Sequence, residues 1–155
     1  MYVKDHMTKK PVTVTPDTSV STVLDIMQKG HFHRVPVVDE NGVLKGLITE
    51  GVVTEASGQN TTSLSIFELN YILSRTSVAD IMIKNVKTVT EDQFVEQAAQ
   101  VMLDAGINAL PVVDEANKVI GIITEKDIFK TFVDLLGLKH QGTKFVIKME
   151  NKPGL

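Results

Sequence analysis

The sequence predicts a mixed α+β fold built from two β-α-β-β-α units packed about a pseudo-twofold axis, and three observations predict it. Residues Val3 to Val53 align without a gap on Val78 to Ile128 at a constant offset of 75. Within each copy, apolar residues pass from helical spacing to short β-branched runs. A single copy of about 50 residues cannot cover both faces of its own sheet, so the two copies share a core.

Identities mark the register: Asp5/Asp80, Met7/Met82, Thr13/Thr88, Val20/Val95, Met27/Met102, the run PVVDE from Pro36 and from Pro111, Gly46/Gly121, and the run ITE from Ile48 and from Ile123. Each copy opens on a β segment, Val12–Val14 or Lys87–Val89. A polar stretch, TPDTS or TEDQ, then starts a helix. The apolar faces are Val20, Val23, Leu24 and Met27 in one copy and Val95, Ala98, Ala99 and Met102 in the other. Gly30 and Gly106 read as left-handed helix caps one alignment position apart, so the two helix ends are expected to differ. Two β runs follow in each copy. Val35–Val38 and Val43–Ile48 flank the turn Asp39-Glu40-Asn41-Gly42, and Leu110–Val113 and Val119–Ile123 flank Glu115-Ala116-Asn117. A second helix closes each copy. Between the copies, GQNTTSLS is a loop, and Ser65-x-x-Glu68 is a capping box opening a connecting helix whose stripe Ile66, Leu69, Ile72, Leu73 is expected to face the core. The divisions are residues 1–57 and 77–137 for the two motifs, 58–76 for the connection and 138–155 for a tail.

Composition bounds the function. With 155 residues, 43% hydrophobic and 23% charged, the chain reads as an ordinary globular protein. Zero cysteines remove thiolate chemistry and Cys-based zinc sites and suit a reducing compartment. The apolar runs are short and MYVKDHMTKK leads into no hydrophobic segment, so no membrane partner is expected and the location reads as cytoplasmic. Net charge −3 without tryptophan offers no basic stripe for nucleic acid.

The combination V-x-D-x-M, T-V-T, PVVDE and G-h-I-T-E, written twice, resembles the cystathionine β-synthase (CBS) domain family over Val3 to Leu136. The resemblance implies a disk with two equivalent clefts that commonly bind adenine nucleotides or S-adenosylmethionine and report occupancy to attached or partner proteins. Within it, G-h-x-T-x-x-D supplies a carboxylate to the ribose hydroxyls and a hydroxyl near the phosphates; Thr124 and Asp127 match. A carboxylate facing a vicinal diol accepts two charge-assisted hydrogen bonds, and a helix N-terminus favours phosphate. From the residues alone, Thr124-Glu125-Lys126-Asp127 is equally a helix cap contributing about 1 kcal/mol without any ligand. The first copy keeps Thr49 but carries Val52 in place of the carboxylate, so one competent ribose site is expected rather than two.

By the same resemblance, adenine lies against Ile83–Val86 and the loop Ile107, Asn108, Ala109 to Pro111, while His33 and Arg34 of the opposite copy reach the phosphates, as in AMP-sensing kinase subunits. Glu125 beside the phosphates favours AMP or ADP over free ATP. No obligatory cofactor is implied. Family members associate through their helices, which implies a homodimer and allows a further protein partner. The chain is read as a regulatory module without catalysis: no nucleophile-and-base pair, P-loop or G-x-G-x-x-G is present, and His31-x-His33 would need a third metal ligand from His6, His140 or a distant carboxylate. The alternative is a dimerisation module with empty clefts. The tail alternates Phe145, Ile147, Met149 with charged residues before Pro153-Gly154, which resembles the first strand of an ACT domain. With the Ala56-Ser57 and Glu68-Leu69-Asn70-Tyr71 insert it is similar to acetoin-utilisation-type CBS proteins carrying that domain, here shortened.

Overall fold

The computed structural model describes residues 1–58, 65–137 and 146–147. The strands are β1 (Thr8–Lys9), β2 (Arg34–Val38), β3 (Leu44–Thr49), β4 (Val89–Thr90), β5 (Ala109–Val113) and β6 (Val119–Thr124). The helices are α1 (Val20–Gly30), α2 (Glu50–Gly58), α3 (Ile66–Arg75), α4 (Val78–Ile81), α5 (Val95–Ala105) and α6 (Glu125–Leu135). No helix among the described residues is long and apolar enough to cross a membrane.

Each half forms an antiparallel hairpin, β2–β3 or β5–β6, whose turn is held by an aspartate. Asp39 Oδ1 accepts from the backbone N–H groups of Asn41 and Val43 at 2.9 and 3.0 Å, and Asp114 Oδ1 accepts from Ala116 and Lys118, both at 2.9 Å. A parallel neighbour flanks each hairpin: β4 beside β5, and the single bridge Val14–Val37 beside β2.

The other edge of each sheet comes from the opposite half. β1 pairs antiparallel with β6, Thr8 opposite Ile122, while Ile83 pairs with Leu47 of β3. The entry segments are thus exchanged, which periodicity within one copy cannot reveal. The cores record the exchange. Val78 is fully buried among Val20, Val23, Val35 and Ile48, and Val3 among Ala98, Leu110, Val112 and Ile123. The backbone repeats the symmetry: Val3 N–H donates to Gln93 O and Val78 N–H to Thr18 O, both at 2.8 Å, and Leu44 N–H donates to Asn117 O at 3.0 Å while Val119 N–H donates to Gly42 O at 3.1 Å.

Two expectations need correction. Gly30 ends α1 inside the helix, and His31 takes the left-handed position at φ 55°, where Gly106 sits at φ 65° after α5. The two helix ends therefore share one geometry. A Cβ at Gly30 would meet the ring of Phe32, an exposed side chain. The stripe on α3 is only half covered, with Leu69 and Leu73 half-buried while Ile66 and Ile72 are 70% and 45% exposed. The polar loop and most of the tail lie outside the described residues, so the ACT-like strand is not described beyond Val146 and Ile147, which are exposed.

Gly46 and Gly121 are where the exchanged segments press closest. A Cβ on Gly46 would stand 2.8 Å from Ile83 O and 2.5 Å from Met82 Sδ, and one on Gly121 would stand 3.0 Å from Thr8 O. We expect Gly46→Ala to lower stability by about 1–3 kcal/mol through overpacking, read as a fall in melting temperature. An unchanged transition would contradict the exchanged edge.

Candidate functional site

A cleft of about 470 Å3 lies on the second half. Its walls come from the segment entering β4 (Ile83, Asn85, Val86, Lys87), the end of α5 (Met102, Leu103) and the turn into β5 (Gly106 to Ala109). The first half contributes Arg34, Leu47 and Thr49, which arrive because Ile83 pairs with Leu47. The walls are mainly apolar. Arg34, Lys87 and Glu125 are its charged residues, so the lining joins an apolar surface to groups of both signs. Arg34, Thr49 and Asn108 also border an adjoining hollow of about 330 Å3 that includes His33, Glu50 and Gly51.

Of the residues singled out from sequence, Ile83, Val86, Ile107, Asn108, Ala109 and Arg34 line the cleft together. His33 lies in the adjoining hollow, its Nδ1 2.6 Å from Glu50 Oε2, with both side chains more than half exposed. Pro111 is buried within β5 opposite Ile122 and does not border the cleft. Neither Thr124 nor Asp127 lines it in this conformation; the same helix start presents Glu125, whose N–H donates to Asn108 O at 3.0 Å. Asn85 falls within the expected stretch Ile83–Val86, whereas Leu47, Thr49, Lys87, Met102, Leu103 and Gly106 carry no expectation as cleft residues. Leu47 and Thr49 become visible only with the strand exchange, whereas Lys87, a cation before the first strand of its copy, carried a readable signal.

Asp127 sits in the first turn of α6 and folds back on it. Its Oδ2 accepts from the Thr124 N–H at 2.9 Å and from the Thr124 hydroxyl at 3.2 Å. The cap reading is therefore realised. Both bonds use the same oxygen, and the carboxylate is only half-buried. In the first half, Thr49 Oγ1 accepts from Val52 N–H at 3.1 Å, and Val52 packs against the first core. The missing carboxylate thus has a structural counterpart: a valine that joins the core.

A family model for the CBS domain matches residues 3–57 and 78–134. The chain belongs to the CBS domain family, as a tandem pair. A curated relative, the L-aspartate semialdehyde sulfurtransferase of Methanocaldococcus jannaschii, is 33% identical over 130 residues, 84% of this chain and 23% of that protein, so the chain spans about a quarter of the relative's length. The crystal structure of the CBS domain pair of protein MJ0100 in complex with 5′-methylthioadenosine and S-adenosyl-L-methionine is 32% identical, with a TM-score of 0.75 over 87% of this chain and 98% of that one. That of CBSX2 from Arabidopsis thaliana in complex with AMP is 27% identical, with a TM-score of 0.73 over 87% and 98% of the two chains.

Because Asp127 supports the start of α6, Asp127→Ala should cost about 0.5–1 kcal/mol without ligand, measured by chemical denaturation. Val52→Ala should instead act as a core truncation and cost more, about 1–2 kcal/mol.

Proposed function

We propose that this chain is a regulatory module that senses an adenosine-containing ligand in one cleft, that of the second half, and has no catalysis of its own. One observation carries the reading: in only one half does the T-x-x-D helix start hold a carboxylate, and beside that same helix start lies the mainly apolar cleft lined in part by Arg34 and Lys87. The apolar walls suit a purine, the two cations suit a phosphate, and Asp127 can exchange its bonds to Thr124 for a ribose diol by a side-chain rotation. The adenosine ligands of the MJ0100 and CBSX2 pairs support the same class. Glu125 in the lining opposes high negative charge, which favours AMP or ADP over ATP, and S-adenosylmethionine is a further possible ligand. The module operates in the cytosol. Where it forms part of a longer chain, it regulates rather than performs the reaction.

Calorimetric titration with AMP, ADP, ATP and S-adenosylmethionine tests this. AMP or ADP should bind most tightly, and Asp127→Ala should weaken binding about tenfold or more, as expected for a lost charged hydrogen bond. Binding that survives Asp127→Ala at full strength would sink the ribose role.

A second reading, association through helices, is favoured by Phe129, Phe132 and Leu135 of α6, which are 67%, 57% and 65% exposed. A homodimer would cover them, and a regulated protein could dock there. Sedimentation of the wild type should then show a dimer that Phe129→Glu converts to monomer; a wild-type monomer at high concentration contradicts it.

A further inference from the structure

We propose that His6, on the segment that crosses over from the first half, is a positioning residue for the Asp127 carboxylate; this inference rests on the ribose role argued above. His6 Nδ1 lies 3.1 Å from the hydroxyl of Thr131, and that hydroxyl donates to the backbone oxygen of Asp127 at 2.8 Å. Thr131 is 2% exposed, the one polar residue among the buried residues of the described chain. Its hydroxyl proton is committed to the Asp127 carbonyl, so the imidazole Nδ1–H is the donor in the bond to Thr131 Oγ1. The chain His6, Thr131, Asp127 thus ties α6, one turn along, to a segment that belongs to the other half.

The first half gives the control. Positions equivalent to Asp127, Thr131 and His6 hold Val52, Ala56 and Ile81. All three polar groups are replaced together, and Val52 and Ile81 pack against the first core. A buried hydroxyl and an imidazole brought 125 positions along the chain to the helix bearing the carboxylate are costly to place unless partnered. They occur only in the half whose helix must offer a carboxylate to a ligand. Val3, Met7 and the β1–β6 pairing hold the crossing segment against the second half, so the imidazole sits on a fixed support.

The test uses the whole chain, AMP, and 2′,3′-dideoxyadenosine 5′-monophosphate, which lacks the diol. His6→Ile, which installs the residue of the other half, should weaken AMP binding about fivefold, the worth of one buried hydrogen bond, and leave the dideoxy analogue unchanged. His6→Asn, whose amide N–H can replace Nδ1–H, should recover most of the loss. Equal weakening toward both ligands, or none toward AMP, overturns the positioning role. Wild-type protein that binds neither nucleotide overturns the ribose reading itself and this inference with it, whereas wild-type AMP binding unaffected by His6→Ile overturns only the latter.

Discussion

The structure depends on one constraint: each half lends its entry segment to the sheet and core of the other. Thr8 pairs with Ile122 and Ile83 with Leu47, while Val3 and Val78 fill the opposite cores. Neither half has a closed core alone, so burial couples the two into one cooperative unit. The glycines at 46 and 121 follow from this, because the exchanged backbone passes too close for a Cβ. The cleft follows too. Its wall combines Ile83, Asn85, Val86 and Lys87 with Leu47 and Thr49, which no single half could bring together.

On this near-symmetric backbone the side chains break the symmetry, chiefly around the clefts. The helix ends share a left-handed residue, yet glycine serves one and histidine the other, where an L side chain costs about 1–2 kcal/mol. The following turns differ in charge: His33 meets Glu50 in the first half, and uncharged Asn108 stands opposite Glu125 in the second. Core positions keep their apolar character in both halves, because packing fills the same volume twice. Rim positions are free of that demand and can diverge into chemistry.

Much of the fold was legible because the information is local or repeated. The offset of 75 located both hairpins, their aspartate-held turns and all four principal helices, and the Ser65 cap of α3 forms with Glu68 N–H donating to Ser65 Oγ at 3.2 Å. The cleft was partly legible. Ile83, Val86, Ile107, Asn108, Ala109 and Arg34 border one cleft, while Pro111 is consumed by β5 and His33 is held by Glu50. Capping geometry gave Asp127 two possible employments, and in this conformation it serves the helix.

By itself the sequence determined the repeat, the order of elements, the family and the loss of one carboxylate from the first copy, since periodicity, turn chemistry and the Val52/Asp127 difference are written residue by residue. Only the tertiary structure decided which half completes which sheet, that Leu47 and Thr49 reach the second cleft, and that His6 meets Thr131. The physical reason is that strand exchange is a pairing between distant segments: either partner satisfies the same local hydrogen bonds, and only the shared burial of both cores selects the crossed arrangement.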